Sequence, residues 1–155
     1  MNVLLVDDEK QILNILAETL EAVGIQAEVC NSGDAALAYL KDHAVEVMVS
    51  DLRMPGMNGL ELLQQARALD PDLQMVILTG FGDLKSAVEA LRLGAYDYLN
   101  KPIDAERLVQ TLKIGAEHRR LTIENRILIE NLTEASRLKT DFLHGMSHEI
   151  RTPLG

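Results

Sequence analysis

Tryptophan is absent, and aromatic residues make up only 3% of the 155 residues. A core must therefore be built from Leu, Val, Ile, Ala and Met, which the 47% hydrophobic content supplies amply. The length allows one ordinary domain and something extra. A single cysteine, Cys30, excludes an internal disulfide and any multi-cysteine metal site. Its apolar setting predicts a buried strand position in a reducing compartment. No apolar run reaches the ~18 residues of a membrane span, and the start lacks the layout of a signal peptide. These absences predict a cytoplasmic chain. Basic excess is missing too. The net charge is −9. Residues 1–103 hold 16 Asp+Glu against 7 Lys+Arg, and residues 104–155 hold 8 of each. Neither part has the charge of a nucleic-acid reader, so no nucleic-acid partner and no DNA-binding output are expected.

What is present alternates. Apolar runs at Asn2–Val6, Gln26–Cys30, Val45–Val49, Gln74–Leu78 and Tyr96–Leu99 predict five strands. Between them lie helical patterns. Ile12, Leu16, Leu20 and Val23 share one face of the first, which Gly24 ends. Ser32 caps the second, which carries Ala36, Leu37 and Leu40. Pro55, Gly56, Asn58 and Gly59 mark a loop ahead of a helix over Leu60–Leu69. Gly80, Gly82 and Asp83 lead into a fourth helix, which ends near Gly94, and a fifth starts at about Asp104 after Pro102. Strands alternating with helices give an α/β fold with a parallel sheet covered on both faces. Right-handed crossovers favour a doubly wound order, with ligands at the carboxyl ends of the strands.

Those ends carry chemistry. The first strand delivers Asp7 and Asp8, the third Asp51, the fourth Thr79, and the fifth leads to Lys101. Three carboxylates on adjacent strand ends repel one another unless a cation sits among them, and hard oxygen ligands suit Mg²⁺. A hydroxyl and an ammonium suit phosphoryl oxygens, and a carboxylate can act as the nucleophile that becomes an aspartyl phosphate. Each residue alone reads as a turn, a cap or a solvated side chain; together they form a site.

The pieces LLVDDE (Leu4–Glu9), SDLRMPGMNG (Ser50–Gly59), LTGFGD (Leu78–Asp83) and AYDYLNKP (Ala95–Pro102) resemble the receiver domain of response regulators over residues 1 to about 118. The resemblance implies a flavodoxin-like five-stranded sheet of order 2-1-3-4-5, with a long helix continuing from the fifth. It implies Asp51 as the phosphoacceptor, with Mg²⁺ held by Asp7, Asp8, Asp51 and the backbone carbonyl of Arg53. Thr79 and Lys101 would contact the phosphoryl group. Thr79 and Tyr98 would form the switch pair, and the Lys101–Pro102 bond would be cis. The implied donor is a histidine kinase or phosphotransfer protein. Read without the family, Tyr98 is an ordinary half-buried strand aromatic.

Proline is also absent from residues 104–150. A heptad frame with a at His118, Asn125, Leu132, Lys139 and Met146, and d at Leu121, Leu128, Ala135, Phe142 and Glu149, has six apolar positions of ten. Asn125 at an a position suits a two-stranded partner, so a homodimer through this helix is expected, against a single helix that packs back or frays. A helix unbroken from Asp104 to His148 would be about 66 Å long, which predicts a large separation between His148 and Asp51. The segment FLHGMSHEIRTPLG (Phe142–Gly155) resembles the H-box of sensor histidine kinases, with His148 at the phosphoacceptor position, Glu149 beside it, Thr152 four residues on and Pro153 at the bend. The predicted layout is a receiver over 1–118, a coiled-coil-like linker over 119–141 and a truncated H-box over 142–155. No ATP-binding domain follows in these residues, so no kinase activity of this chain alone is expected. The leading expectation is a receiver that regulates an attached histidine kinase. The alternatives are a phosphorelay acceptor or sink for its own kinase, favoured by a bend near Gly115, and a dimerisation module with an inert acidic site.

Overall fold

The structure, a computed structural model, describes the backbone of residues 1–154 and the side chains of residues 1–141 and 143. Five strands alternate with five helices: β1 (Val3–Val6), α1 (Lys10–Glu21), β2 (Ala27–Cys30), α2 (Gly33–Asp42), β3 (Val47–Asp51), α3 (Gly59–Leu69), β4 (Gln74–Thr79), α4 (Leu84–Arg92), β5 (Asp97–Asn100) and α5 (Ala105–Leu154). The strands form one sheet of order β2-β1-β3-β4-β5, and every pair is parallel. Compact packing divides the chain into Met1–Arg119 and Arg120–Gly155.

The period of two along the strands builds two separate cores. Leu4 and Val6 of β1, Met48 of β3, and Met75 and Ile77 of β4 face one way, onto Ala36 of α2, Leu62, Leu63 and Ala66 of α3, and Ala90 of α4. Their neighbours Val3, Leu5, Val47, Val49, Val76 and Leu78 face the other way, onto Leu13, Leu16 and Leu20 of α1 and Leu108, Leu112 and Ala116 of α5. Burial on both faces explains why these strands read as continuous apolar runs. Helix starts are fixed locally: Ser32 Oγ accepts from the Ala35 N–H at 3.1 Å, and Asn58 Oδ1 from the Glu61 N–H at 2.9 Å. The root of α5 is anchored where Arg119 Nη1 donates to Asp70 Oδ2 at 3.0 Å and Gly115 faces the Tyr96 ring.

Three sequence expectations are corrected. Cys30 is only half-buried, because β2 is an edge strand paired with β1 alone. Val23 does not join the buried face of α1: the helix ends at Glu21, Gly24 takes a positive φ of 81°, and Val23 is half exposed. Ile25 reaches the core in its place. The third strand runs two residues beyond Val49, because pairing with β4 continues to Asp51 opposite Leu78. Asp51 is thus the last residue of the strand itself.

Candidate functional site

Parallel register brings the strand ends to one edge. Val6 lies opposite Ser50, Asp51 opposite Leu78, and Thr79 opposite Asn100, so Asp7, Asp51, Thr79 and Lys101 follow from adjacent strands. Asp7, Asp8 and Asp51 each offer a carboxylate oxygen, and these atoms lie within 4.8 Å of one another. Asp7 and Asp51 are buried, whereas Asp8 is exposed. Lys101 Nζ lies 3.1 Å from Asp51 Oδ1 and 3.8 Å from Asp7 Oδ2. The Lys101–Pro102 peptide bond is cis.

One lysine leaves the acidic group short of cations. Asp7 Oδ1 accepts from the Glu9 N–H at 2.9 Å, but Asp7 Oδ2 is buried with no hydrogen-bond partner among the described residues. Burial pushes the Asp7 carboxyl up to about 6, and the charge of Asp51 pushes the same way; the Glu9 N–H and Lys101 oppose them. A buried oxygen without a donor, among three hard carboxylate ligands, suits a small divalent cation.

The remaining expected residues are placed as follows. Thr79 is buried, and its hydroxyl donates to Asn100 Oδ1 at 2.8 Å and more weakly towards the Leu99 carbonyl at 3.4 Å. Tyr98 is half-buried against the α3 side of the sheet. Arg53 follows Asp51 by two residues on the β3–α3 loop, and its side chain is exposed. Gly59 holds that loop close to the strand: a Cβ there would meet the Asp51 carbonyl oxygen at 2.6 Å and Leu52 Cα at 2.9 Å. The side chains of His148, Glu149 and Thr152 lie outside the described residues. A larger hollow of about 790 Å³, bordered by Asn2, Ala27, Glu28 and His43, sits at the amino ends of the strands, away from these groups.

Two contributors escaped sequence reasoning. Asn100 supplies the acceptor for Thr79, and only its position before Lys101 could have pointed to it. Asp83 accepts from Arg53 Nε at 2.9 Å and also from Arg53 Nη2. The pairing spans thirty residues, which no local pattern reports.

With this arrangement on the page, comparison with known proteins decides the family. The description "Response regulator receiver domain" matches residues 3–113. This chain belongs to the response regulator receiver family. The receiver is 44% identical over 127 residues to the C4-dicarboxylate transport transcriptional regulatory protein DctD of Rhizobium meliloti, covering 82% of this chain and 28% of that protein. It is 37% identical over 122 residues to the transcriptional regulatory protein ZraR of Salmonella typhimurium, covering 79% and 28%. The chain thus spans under a third of these relatives. Among solved structures, the receiver domain of NtrX from Brucella abortus superposes with a TM-score of 0.72 at 34% identity, covering 74% of this chain and 98% of that one. A structure described as adenylate cyclase from Rhodopirellula baltica gives 0.79 at 34% identity, covering 83% and 96%. The receiver is a phosphoacceptor of two-component signal transduction. Among the described residues no helix is long and apolar enough to cross a membrane.

Proposed function

We propose that Asp51 is the phosphoacceptor of this receiver, that Asp7, Asp8, Asp51 and the Arg53 carbonyl hold Mg²⁺, and that Lys101 and Thr79 receive the phosphoryl oxygens. The observation that carries this reading is the Lys101 ammonium 3.1 Å from the Asp51 carboxylate, beside a buried Asp7 Oδ2 that no hydrogen bond satisfies among the described residues. An Asp51 oxygen forms the new bond to phosphorus. The bond from phosphorus to the donor breaks, and its electron pair leaves with the donor atom. Lys101 is placed to offset charge on the transferred group, and bound Mg²⁺ would offset the rest. The Thr79 hydroxyl then exchanges Asn100 for a phosphoryl oxygen. Tyr98, paired opposite Ile77 two residues before Thr79, is placed to respond as the switch aromatic.

The donor is a histidine kinase or phosphotransfer protein. An apolar groove of about 360 Å³, bordered by Ile12, Ile15, Ile103 and Ala105, opens beside Lys101 and could seat a helix carrying phosphohistidine. The output is regulation of an attached histidine kinase through pairing of α5 with a second copy, in the cytoplasm. The kinase part rests on the sequence FLHGMSHEIRTPLG alone, since the relatives named above are transcriptional regulators. Their names favour a second reading, a receiver that serves a transcriptional regulator. The relay alternative is favoured by a break near Gly115, and α5 has none there.

Intact mass after incubation with Mg²⁺ and acetyl phosphate tests the assignment. The parent gains one phosphoryl group and Asp51→Asn gains none. An equal gain in the variant, or none in the parent with Mg²⁺ binding verified, overturns it. Phosphorylation is also expected to change self-association of the chain, read by sedimentation velocity; unchanged association removes the proposed output.

A further inference from the structure

Asp83 stands at the N-cap of α4, where a carboxylate ordinarily accepts from the free N–H groups of the first turn. It makes no such bond, and α4 has no acid in its first turn to take its place. Both oxygens are engaged elsewhere. Oδ1 takes two donors from the Arg53 guanidinium, and Oδ2 accepts from the Gly80 N–H at 3.3 Å. The Asp83 side chain is 5% exposed, whereas that of Arg53 is 76% exposed. A buried carboxylate is therefore held by a largely exposed cation, and departure of that cation leaves the carboxylate in need of other donors. The Arg53 hydrogen bond holds the Asp83 carboxyl below the usual range, and Lys101 lowers it further, which places Asp83 in the field of the lysine that pairs with Asp51.

One carboxylate thus has two alternative sets of donors, Arg53 or the start of α4. Arg53 sits two residues from Asp51 on the same loop. We propose that the Arg53–Asp83 pair is a latch on the start of α4, opened when phosphorylation of Asp51 draws the Arg53 guanidinium to the phosphoryl oxygens and frees Asp83 to cap the helix. The inference rests on Asp51 being the phosphoacceptor. A phosphoryl group brings close to two negative charges and several acceptor oxygens, a stronger partner for a guanidinium than one carboxylate. The segment released matters. Phe81 and Leu84 flank Asp83 and are largely exposed, and Val88 and Leu91 continue the apolar stripe along α4. Re-capping the first turn re-aims the front of that stripe. Arg53 and Asp83 are positioning residues in this scheme.

Amide NMR of the full chain tests it, read at Lys85 and Ser86, the N–H groups that an N-cap side chain serves. In the parent, Mg²⁺ with beryllium fluoride, a phosphoryl mimic, displaces both resonances. Arg53→Ala, at an exposed position, is expected to displace them in the same direction with no mimic present. So is Asp83→Asn, which keeps a capping oxygen but loses the charge that holds Arg53. Asp83→Ala, which can neither pair nor cap, is expected to leave both amides unresponsive to the mimic. The latch is overturned if Arg53→Ala leaves the two amides where the untreated parent has them, or if Asp83→Ala responds as the parent does. The acetyl phosphate mass experiment run alongside separates the two claims. A parent that takes up no phosphoryl group removes the trigger, while the Arg53→Ala amides still decide whether the carboxylate has two uses.

Discussion

Leucine and isoleucine serve opposite ends in the two units of this chain. In Met1–Arg119 they fill the two layers either side of the sheet, with Leu4, Leu5, Leu63 and Leu78 fully enclosed. In the unit that begins at Arg120, Ile127, Leu128, Ile129, Leu132 and Leu138 are all more than half exposed. A sheet covered by helices supplies partner surface from its own chain; a lone helix has none. Among its described residues the second unit shows local support: Arg120 with Glu124, Arg137 with Glu134, and the Thr140 hydroxyl on the Ser136 carbonyl. Exposed pairs of this kind contribute a few tenths of a kcal/mol each. The first unit is stabilised by burial. The second leaves these large apolar side chains exposed, which supports the proposed pairing.

The contrast can be broken at its strongest point first. Leu63→Ala removes a fully enclosed side chain and is expected to destabilise the receiver by about 2–5 kcal/mol, read from urea denaturation; a loss below ~1 kcal/mol would mean the site collapses freely. The next effect depends on pH. Asp7 has its pKa raised from 3.8 to about 6, so its folded form binds a proton that its unfolded form has lost. In metal-free protein this group therefore costs stability as pH rises from about 4 through 6, by up to about 3 kcal/mol, and the loss is complete at neutral pH. Mg²⁺ should offset it at pH 7 and bind more weakly below about pH 6, where protons compete. If Asp7→Asn keeps the same dependence between pH 4.5 and 7, measured with chelator, another group is responsible.

Smaller effects sharpen the comparison. Gly115 lies in the interior of α5, and a Cβ there would meet Tyr96 and Val47 atoms only at 3.6 Å, an ordinary contact. Gly115→Ala should raise receiver stability by about 0.5–1 kcal/mol in thermal or urea denaturation; a decrease would show that the helix root needs its glycine. Leu128→Ala should change receiver unfolding by no more than about 0.5 kcal/mol yet weaken self-association of the chain. A receiver that loses as much stability as with Leu63→Ala would end the division drawn above.

Legibility in the sequence followed the range of the physics. Continuous apolar runs at β1, β3 and β4, with turn residues between, exposed the sheet; its strand order was legible only through the resemblance to receiver domains. Asp7, Asp8, Asp51, Thr79 and Lys101 could be found because parallel strands deliver their last residues to one edge. What depended on neighbours in space was hidden. Cys30 looked buried because its apolar neighbours speak for a covered strand, whereas its exposure is set by the edge position of β2, which pairs with β1 alone. The reach of β3 to Asp51 depends on pairing with β4. Asp83 read as a loop residue, since its partner Arg53 belongs to a different crossover.

The two-sided burial of β3 also bears on how this molecule can go wrong. In a strand with one wet face, a one-residue register slip turns apolar side chains to water and is rejected strongly. In β3 such a slip exchanges Met48 with Val47 or Val49, apolar for apolar, so that discrimination falls on the strand's ends, where Glu46 or Ser50 would enter a buried apolar position. The same slip carries Asp51 about 3.3 Å along the sheet, away from the lysine now 3.1 Å from it. A misregistered molecule would keep its helix content and its compactness while losing the phosphoryl chemistry proposed for Asp51. In a preparation of mixed register, circular dichroism and size would report one species, and the fraction able to take up phosphoryl would report the correctly threaded one.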